Sequence, residues 1–235
     1  MASSGTYLFN PSLGELTLYA FNLAGVRPTA LTQEYMFSAR MAANLMLIDW
    51  ANDGPTLWKV DQVQTPLVTT PPQGTYTVDP NVIMILDAYI TTDNGLSPPI
   101  DRIITPVSRS EYASYPNKEQ QGFPTVYWFD RLISPTVTIW PLPVADGIAN
   151  QFLTYYCVRQ IQDANFTSAQ TLDVQYRFLN AFAQGLALEM ARIWNPQAVQ
   201  LLAPFAERAY KMATKQDVEN ANMYVSPMLS SYYRP

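Results

Sequence analysis

Residues 45–60 read LMLIDWANDGPTLWKV and mark the point where one kind of secondary structure gives way to another. Before Asp53, apolar residues recur at the three- and four-residue spacing of an α-helix. Asp53-Gly54-Pro55 is a turn signal, because glycine accepts positive φ angles and proline cannot continue a helix. From Leu57 onward the pattern is that of extended segments. This stretch therefore predicts a change from helix to strand.

The prolines extend this reading to the whole chain. Thirteen of the 19 lie between Gly54 and Asp163, and only Pro196 and Pro204 lie in the amphipathic stretch 172–220. Proline has no backbone donor and interrupts helix interiors, so its distribution marks a strand-and-loop insertion in a helical protein. We predict an α+β fold, with a helical bundle formed by the N- and C-terminal segments and an inserted antiparallel β-sandwich or barrel-like module. The predicted domains are residues 1–53 with 164–220, residues 54–163, and an extended C-terminal interaction tail, residues 221–235.

The N-terminal segment predicts two helices. Ser12 and Glu15 have the spacing of a capping box at the start of the first, and Gly25 is placed to end it in the left-handed conformation. Thr32 is the predicted cap of a second helix that runs to about residue 52. Its apolar residues cover more than one side, which predicts a helix packed between two neighbours. One side carries Tyr35, Ala39, Ala42, Met46 and Trp50, and much of the remaining surface carries Met36, Phe37, Met41, Leu45 and Ile48.

The middle of the chain predicts six strands, at residues 57–63, 81–92, 100–106, 125–131, 136–140 and 151–162. Asp93-Asn94-Gly95 predicts a hairpin turn, because Asn-Gly accepts the positive φ that primed turns need. Ser108 and Glu111 form a second possible capping box, for a helix of one or two turns.

Two helices return after residue 171. The first has an apolar stripe, and its small Gly185 allows a partner helix to approach closely. Asn195-Pro196 predicts an N-cap for the second helix, which Pro204 should kink. The first stripe comprises Leu179, Phe182, Ala183, Leu186, Met190 and Ile193, and the predicted inward face of the second helix comprises Ala198, Leu201, Leu202, Phe205, Ala209 and Met212.

The amino-acid composition favours a protein that functions in an assembly with other copies or partners. Charged residues make up 14% of the chain and only four of them are lysines, whereas typical soluble domains have about 25% charged residues. Lysine is depleted from subunit interfaces, so a lysine-poor exterior is consistent with burial by other copies. The net charge of −5 argues against a nucleic-acid-binding face. Lone Cys157 predicts a buried thiol in a reducing cytoplasm, and neither a signal peptide nor an apolar run long enough for membrane insertion is recognisable.

Catalysis has little support in the sequence. The chain has no histidine, which removes Ser/His/Asp and Cys/His nucleophile systems. The least unlikely carboxylate pair for a glycosidase is Glu111 and Asp130, but a helix cap and an ion pair with Arg131 explain these two residues better. No phosphate-binding glycine loop is present. We therefore expect no enzyme activity, no catalytic residues, no metal and no cofactor.

A carbohydrate-binding module is the alternative. Its candidate groove would use aromatic rings from the central region, although large aromatic residues more often fill cores and interfaces. Alternation along Tyr127-Trp128-Phe129 places neighbouring rings on opposite faces of a strand. The rings concerned are Tyr112, Tyr115, Phe123, Tyr127, Trp128, Phe129 and Trp140.

Several short motifs together resemble the head-to-tail adaptor proteins of short-tailed bacteriophages, the tail tubular protein A type. The helical start of that family is similar to Leu23-Ala24-Gly25-Val26 and to residues 44–54 (NLMLIDWANDG) with Leu57-Trp58. Its central β region resembles Ser110-Glu111-Tyr112, residues 115–118 (YPNK), residues 122–124 (GFP) and residues 140–143 (WPLP), and its returning helices resemble residues 172–191. The similarity spans most of residues 13–219.

This resemblance implies a virion protein at the head-tail junction, made and assembled in the host cytoplasm. It implies a homo-oligomeric ring, a dodecamer, between the portal protein and the tail nozzle protein, which also offers a platform for tail fibres. DNA would pass through the channel without sequence-specific binding. On this interpretation the candidate oligomer or portal interface comprises Met36, Phe37 and Met41 with Tyr224, Tyr232, Tyr233 and Arg234 of the tail.

Overall fold

The computed structural model of the chain describes residues 5, 9–27, 29, 31–53, 57–93, 95, 98–145, 150–165, 170–215 and 217. Within these ranges the protein has five α-helices and one curled seven-stranded sheet that forms a half-barrel. The predicted α+β class is therefore confirmed.

The N-terminal helices are α1 (Leu13–Leu23) and α2 (Gln33–Asn52). The capping box of α1 is present, since the Ser12 hydroxyl accepts a hydrogen bond from the Glu15 N–H and the Glu15 carboxylate accepts one from the Ser12 N–H. Gly25 has a φ of +79°, and Val26 donates to the Phe21 carbonyl across the end of the helix. Thr32 is the N-cap residue of α2, as predicted, but its side chain makes no capping hydrogen bond.

The returning helices are α4 (Leu179–Trp194) and α5 (Val199–Thr214), preceded by the 3₁₀ turns Tyr176–Phe178 and Pro196–Ala198. Asn195 is the N-cap residue of the turn Pro196–Ala198, as predicted, but its side chain makes no capping bond to that turn. Asn195 Nδ2 donates instead to the Ala24 carbonyl, at 3.0 Å. This bond joins the C-terminal ends of α4 and α1.

Helix α4 is the centre of the helical core, where α1, α2 and α5 pack against it. Its predicted stripe is buried except for Ile193. Gly185 of α4 faces Met46 of α2 so closely that an added Cβ would lie 2.5 Å from the Met46 sulfur. The small residue therefore leaves space for the Met46 side chain, which packs against it.

The sheet contains β1 (Val60–Pro66), β2 (Thr75–Thr77), β3 (Val82–Asp93), β4 (Ile100–Pro106), β5 (Val126–Asp130), β6 (Thr136–Trp140) and β7 (Asn150–Arg159). Its strand order is β1-β7-β3-β4-β5-β6-β2. Helix α3 (Arg109–Ser114) lies in the connection from β4 to β5. Six strands correspond to predicted segments. The three-residue β2 is the one that was not predicted.

The prediction of a wholly antiparallel module needs correction at β4. Its first part pairs antiparallel with β3, whereas Thr105 and Pro106 pair parallel with Val126 and Tyr127 of β5. A parallel pair requires a long crossover connection, and the segment that contains α3 supplies it. Strand β4 thus joins the two halves of the curled sheet.

The predicted hairpin from β3 to β4 is present. The register pairs Thr92 with Ile100. Gly95 has the expected positive φ, +69°, and its N–H donates to the Asp93 carboxylate.

The concave interior of the sheet holds a second hydrophobic core, made of strand and loop residues. Ile90, Leu153 and Ile139 are fully buried in it. Cys157 is a buried free thiol in the same core, as predicted.

Candidate interaction surface

The outward side of α2 carries four large apolar residues, Phe37, Met41, Leu45 and Ile48, which we call the outer α2 stripe. Each of them is between 51% and 64% exposed. Successive residues are about 100° apart around a helix, so spacings of four, four and three place all four within about 80° of one another. They form a continuous apolar line about 16 Å long.

The opposite side of α2 is buried against α4 through Ala39, Ala43, Leu47 and Trp50. The helix is therefore apolar on two opposite sides, and one of them lies in solvent. Burying a large apolar side chain contributes about 1.5–3 kcal/mol, so covering four that are about half exposed would contribute roughly 4 kcal/mol. Such a surface is typical of a protein that has a partner.

Helix α5 differs from its predicted orientation. Leu201, Phe205 and Met212 were expected to face inward, but they are exposed. The buried residues are Leu202, Ala206 and Ala213. Small alanines let α5 approach α4 closely, and this packing rotates the larger side chains outward. We call the exposed set the outer α5 stripe.

The predicted interface residues divide into three groups. Phe37 and Met41 lie in the outer α2 stripe and are exposed. Met36 is half-buried and packs against the helical core, so it does not belong to the stripe. The tail residues Tyr224, Tyr232, Tyr233 and Arg234 lie outside the described residues.

Two of the aromatic residues proposed for a sugar groove, Trp128 and Trp140, stack on two others of the group. Trp128 stacks on Tyr112 of α3, with ring centroids 5.5 Å apart, and Trp140 stacks on Tyr115 at 4.4 Å. The Lys118 ammonium lies over the ring of Tyr112 as well. These contacts fasten α3 and the following loop onto β5 and β6.

The other rings of this group face elsewhere. Tyr127 is buried in the strand core, and Phe129 and Phe123 pack against that core. Phe123 also lies under the guanidinium of Arg102. The alternation predicted for residues 127–129 is confirmed, and it leaves no open row of parallel ring faces at this position.

The structure shows the surroundings of the two carboxylates considered for catalysis, Glu111 and Asp130. The Glu111 N–H donates to the Ser108 hydroxyl at the start of α3. Asp130 ends β5, and the expected ion pair with Arg131 is absent from the ion pairs formed by the described residues. Within the same residues, no group of three or more His, Cys, Asp or Glu side chains has the arrangement of a metal site.

A cleft of about 900 Å³ lies between the C-terminal half of α2 and the sheet, next to β1, β3 and the segment that follows β7. We call it the α2–sheet cleft. Two ion pairs lie at its walls, Lys59 with Asp173 at 2.5 Å and Arg159 with Asp61 at 3.1 Å. Sequence reasoning missed the cleft, because its walls come from four separate parts of the chain.

Asn44 is the residue in this region whose role the sequence hid. Its side chain donates to the Ala164 carbonyl at 3.1 Å and accepts from the Ala164 N–H at 2.7 Å. The paired bonds hold the segment after β7 against the helix beside the α2–sheet cleft, which Asn44 lines.

Among the described helices, none combines the length and apolar character needed to cross a membrane. In comparisons with known proteins, no protein-family model matches the chain and no curated protein matches it significantly.

Proposed function

We propose that the chain is a head-to-tail adaptor of a short-tailed bacteriophage, a structural protein of the virion without enzyme activity. Copies of it form a ring, a dodecamer, between the portal and the tail nozzle, and the ring extends the DNA channel and offers a platform for tail fibres. The motif resemblance from Leu23 to residue 191 is the starting point of this proposal.

The observation that carries the proposal is the outer α2 stripe. A ring closes through heterologous contacts, in which each copy presents two different side patches to its neighbours. The outer α2 and outer α5 stripes are two such apolar patches on different helices. One would contact the preceding copy and the other would contact the following copy or the portal.

We further propose that the helices from both ends of the chain act as one bundle domain, with the β-rich residues 54–163 as an insertion. The helical core and the strand core are two separate clusters of buried residues, which supports this division. The bundle would form the ring wall, and the curled sheet would project from it.

The net charge of −5 suits a channel wall. Protein contacts that neutralise phosphates release counterions, and this release drives nonspecific DNA binding. An acidic wall lacks that contribution, so DNA can move past it without adhering.

Assembly with the portal tests the proposal. We expect the purified chain, mixed with the portal protein of the same phage, to sediment as a ring complex. The double substitution Phe37→Ser with Met41→Ser should abolish the complex and leave the free energy of unfolding within about 0.5 kcal/mol, since both side chains are exposed. Leu132→Ser with Ile133→Ser is the matched control, because it removes an exposed apolar pair from the loop between β5 and β6.

Failure of the unaltered chain to bind the portal would contradict the adaptor function. Normal assembly of the Phe37/Met41 variant would contradict the role of the outer α2 stripe.

The alternative, a tail-associated carbohydrate-binding or cell-wall-lytic module, has less support. One face of Trp128 is covered by Tyr112 and one face of Trp140 by Tyr115. The alternative requires retention of the chain on cell-wall or lipopolysaccharide glycans without a portal, and loss of that retention in Trp128→Ala. We expect no retention of the unaltered chain.

A further inference from the structure

The α2–sheet cleft has mixed, nearly neutral walls. Apolar side chains such as Ile48, Trp58 and Ile83 alternate there with amides such as Asn52 and Gln160. The charged side chains of the lining balance, with Lys59 and Arg159 opposite Asp61 and Asp163. Walls of this kind suit an uncharged peptide that carries both apolar and small polar side chains.

The end of the described chain lies beside this cleft. After α5, Asp217 forms an ion pair with Arg177 at 2.6 Å, and both side chains are largely buried. The Arg177 guanidinium lies 5.8 Å from the centre of the Trp58 ring, and Trp58 lines the cleft. At Asp217, the Arg177 side chain therefore links the chain to Trp58, a residue in the wall of the cleft.

The residues after Asp217 have the composition that the walls favour. Residues 218–235 read VENANMYVSPMLSSYYRP, with one acidic and one basic residue among methionine, tyrosine, valine, asparagine and serine. We propose that the α2–sheet cleft is the docking site of this C-terminal segment, and that in the free protein each chain's own segment occupies its own cleft.

The length of the segment and its effective concentration favour docking in the cleft of the same chain over docking in the cleft of a second copy. Eighteen residues extend to about 60 Å, so reach does not limit docking. A segment that begins beside its site has an effective concentration of order millimolar, far above that of other copies in a dilute solution. The volume of about 900 Å³ is in the range of clefts that enclose drug-sized ligands, so it accommodates a few side chains of the segment rather than all of it.

Crosslinking in the full-length chain tests the proposal. One cysteine is placed in the cleft with Ala51→Cys, and a second is placed in the segment at one of three positions, Tyr224→Cys, Met228→Cys or Tyr232→Cys. The native Cys157 is buried and does not compete. The rate of disulfide formation under mild oxidation is followed by gel shift, and the bonded peptides are identified by mass spectrometry.

The matched control places the first cysteine at Ala203, a half-buried alanine on α5 that is not among the cleft-lining residues. We expect at least one cleft pair to close more than tenfold faster than its Ala203 counterpart, at a rate independent of protein concentration. Asn52→Cys, at an exposed cleft position, gives a second cleft site if Ala51→Cys disturbs the helix.

Equal rates for cleft and control pairs would overturn the proposal. Disulfide-linked dimers whose formation rises with protein concentration would also overturn it, because they would assign the cleft to the segment of a second copy. Neither result bears on the proposed adaptor function, which the portal-binding experiment tests separately.

Discussion

Single residues shape the contacts between the helices, and Gly185 is the clearest case. A Cβ added at this position would displace the side chain of Met46. Because α4 also contacts α1 and α5, a change at this residue affects the whole helical core.

Gly185→Leu should lower the free energy of unfolding by about 1–3 kcal/mol, because it overpacks this contact. Gly14→Leu, at an exposed position near the start of α1 with open space around it, should cost little. Urea denaturation measures both effects. Adding Met46→Ala should recover part of the loss at Gly185, and a double variant as unstable as the sum of the single ones would contradict the packing described.

Tyr155 gives the fold a dependence on alkaline pH. Burial raises the pKa of Tyr155 to about 12, compared with about 10 in an unfolded chain. The folded state therefore holds this proton more tightly. Its contribution to stability is complete below about pH 10 and is lost as the pH rises from there towards 12.

Tyr155→Phe should accordingly show a smaller loss of stability between about pH 10 and 12 than the unaltered chain. Burial also raises the pKa of Tyr76, Tyr127 and Tyr210, so part of the slope remains. Tyr176→Phe, at a ring exposed on the surface, is the control. The measurement is denaturant unfolding at a series of pH values, and identical slopes for Tyr155→Phe and the unaltered chain would refute the assignment.

At this scale the sequence predicted local contacts well and distant ones poorly. The Ser12–Glu15 box and the left-handed Gly25 depend on residues within one helical turn, and both are confirmed. Asn195 is the predicted N-cap residue, but its side chain and that of Asn44 bond to Ala24 and Ala164. These partners are 171 and 120 positions away, so no local pattern could reveal the contacts.

Between elements, the Asn44 clamp is the main polar link from α2 to the segment that follows β7. It satisfies both backbone groups of the buried Ala164. Leaving a buried donor or acceptor without a partner costs about 1–3 kcal/mol.

Asn44→Leu should therefore destabilise the fold by about 2 kcal/mol and speed hydrogen exchange at the Ala164 amide. Asn180→Leu, on the exposed side of α4, is the control. Calorimetry measures the loss of stability, and amide hydrogen exchange measures the protection of the Ala164 amide. Unchanged protection of the Ala164 amide would show that the clamp does not hold this segment.

The elements themselves were predictable where the pattern is long. Strands β3, β4 and β6 lie within one residue of their predicted bounds, because turn residues or prolines flank each of them. The face of α5 was not predictable in the same way. Helix α5 has two faces with apolar residues, one with Leu201, Phe205 and Met212 and the other with the small alanines. The local pattern does not show which of these two faces packs against α4. The parallel β4–β5 pair likewise depends on the path of the chain through α3.

For the whole molecule, the main feature is a helical core that leaves apolar side chains uncovered on its outer surface. Single apolar residues of the β-rich part, such as Ile103 and Ile133, are exposed as well, but α2 and α5 each present several exposed apolar side chains along one face. The proposed function in assembly would account for these faces, because ring neighbours or a portal would cover them.

Hydroxyl-radical footprinting of the chain, alone and mixed with the portal of the same phage, tests this most directly. Phe37 and Met41 are exposed and should be oxidised readily in the free chain. Met190, fully buried, should stay protected in both states. We predict a severalfold fall in oxidation at Phe37 and Met41 in the complex. Equal oxidation of these two residues in the free and assembled chains would contradict the account.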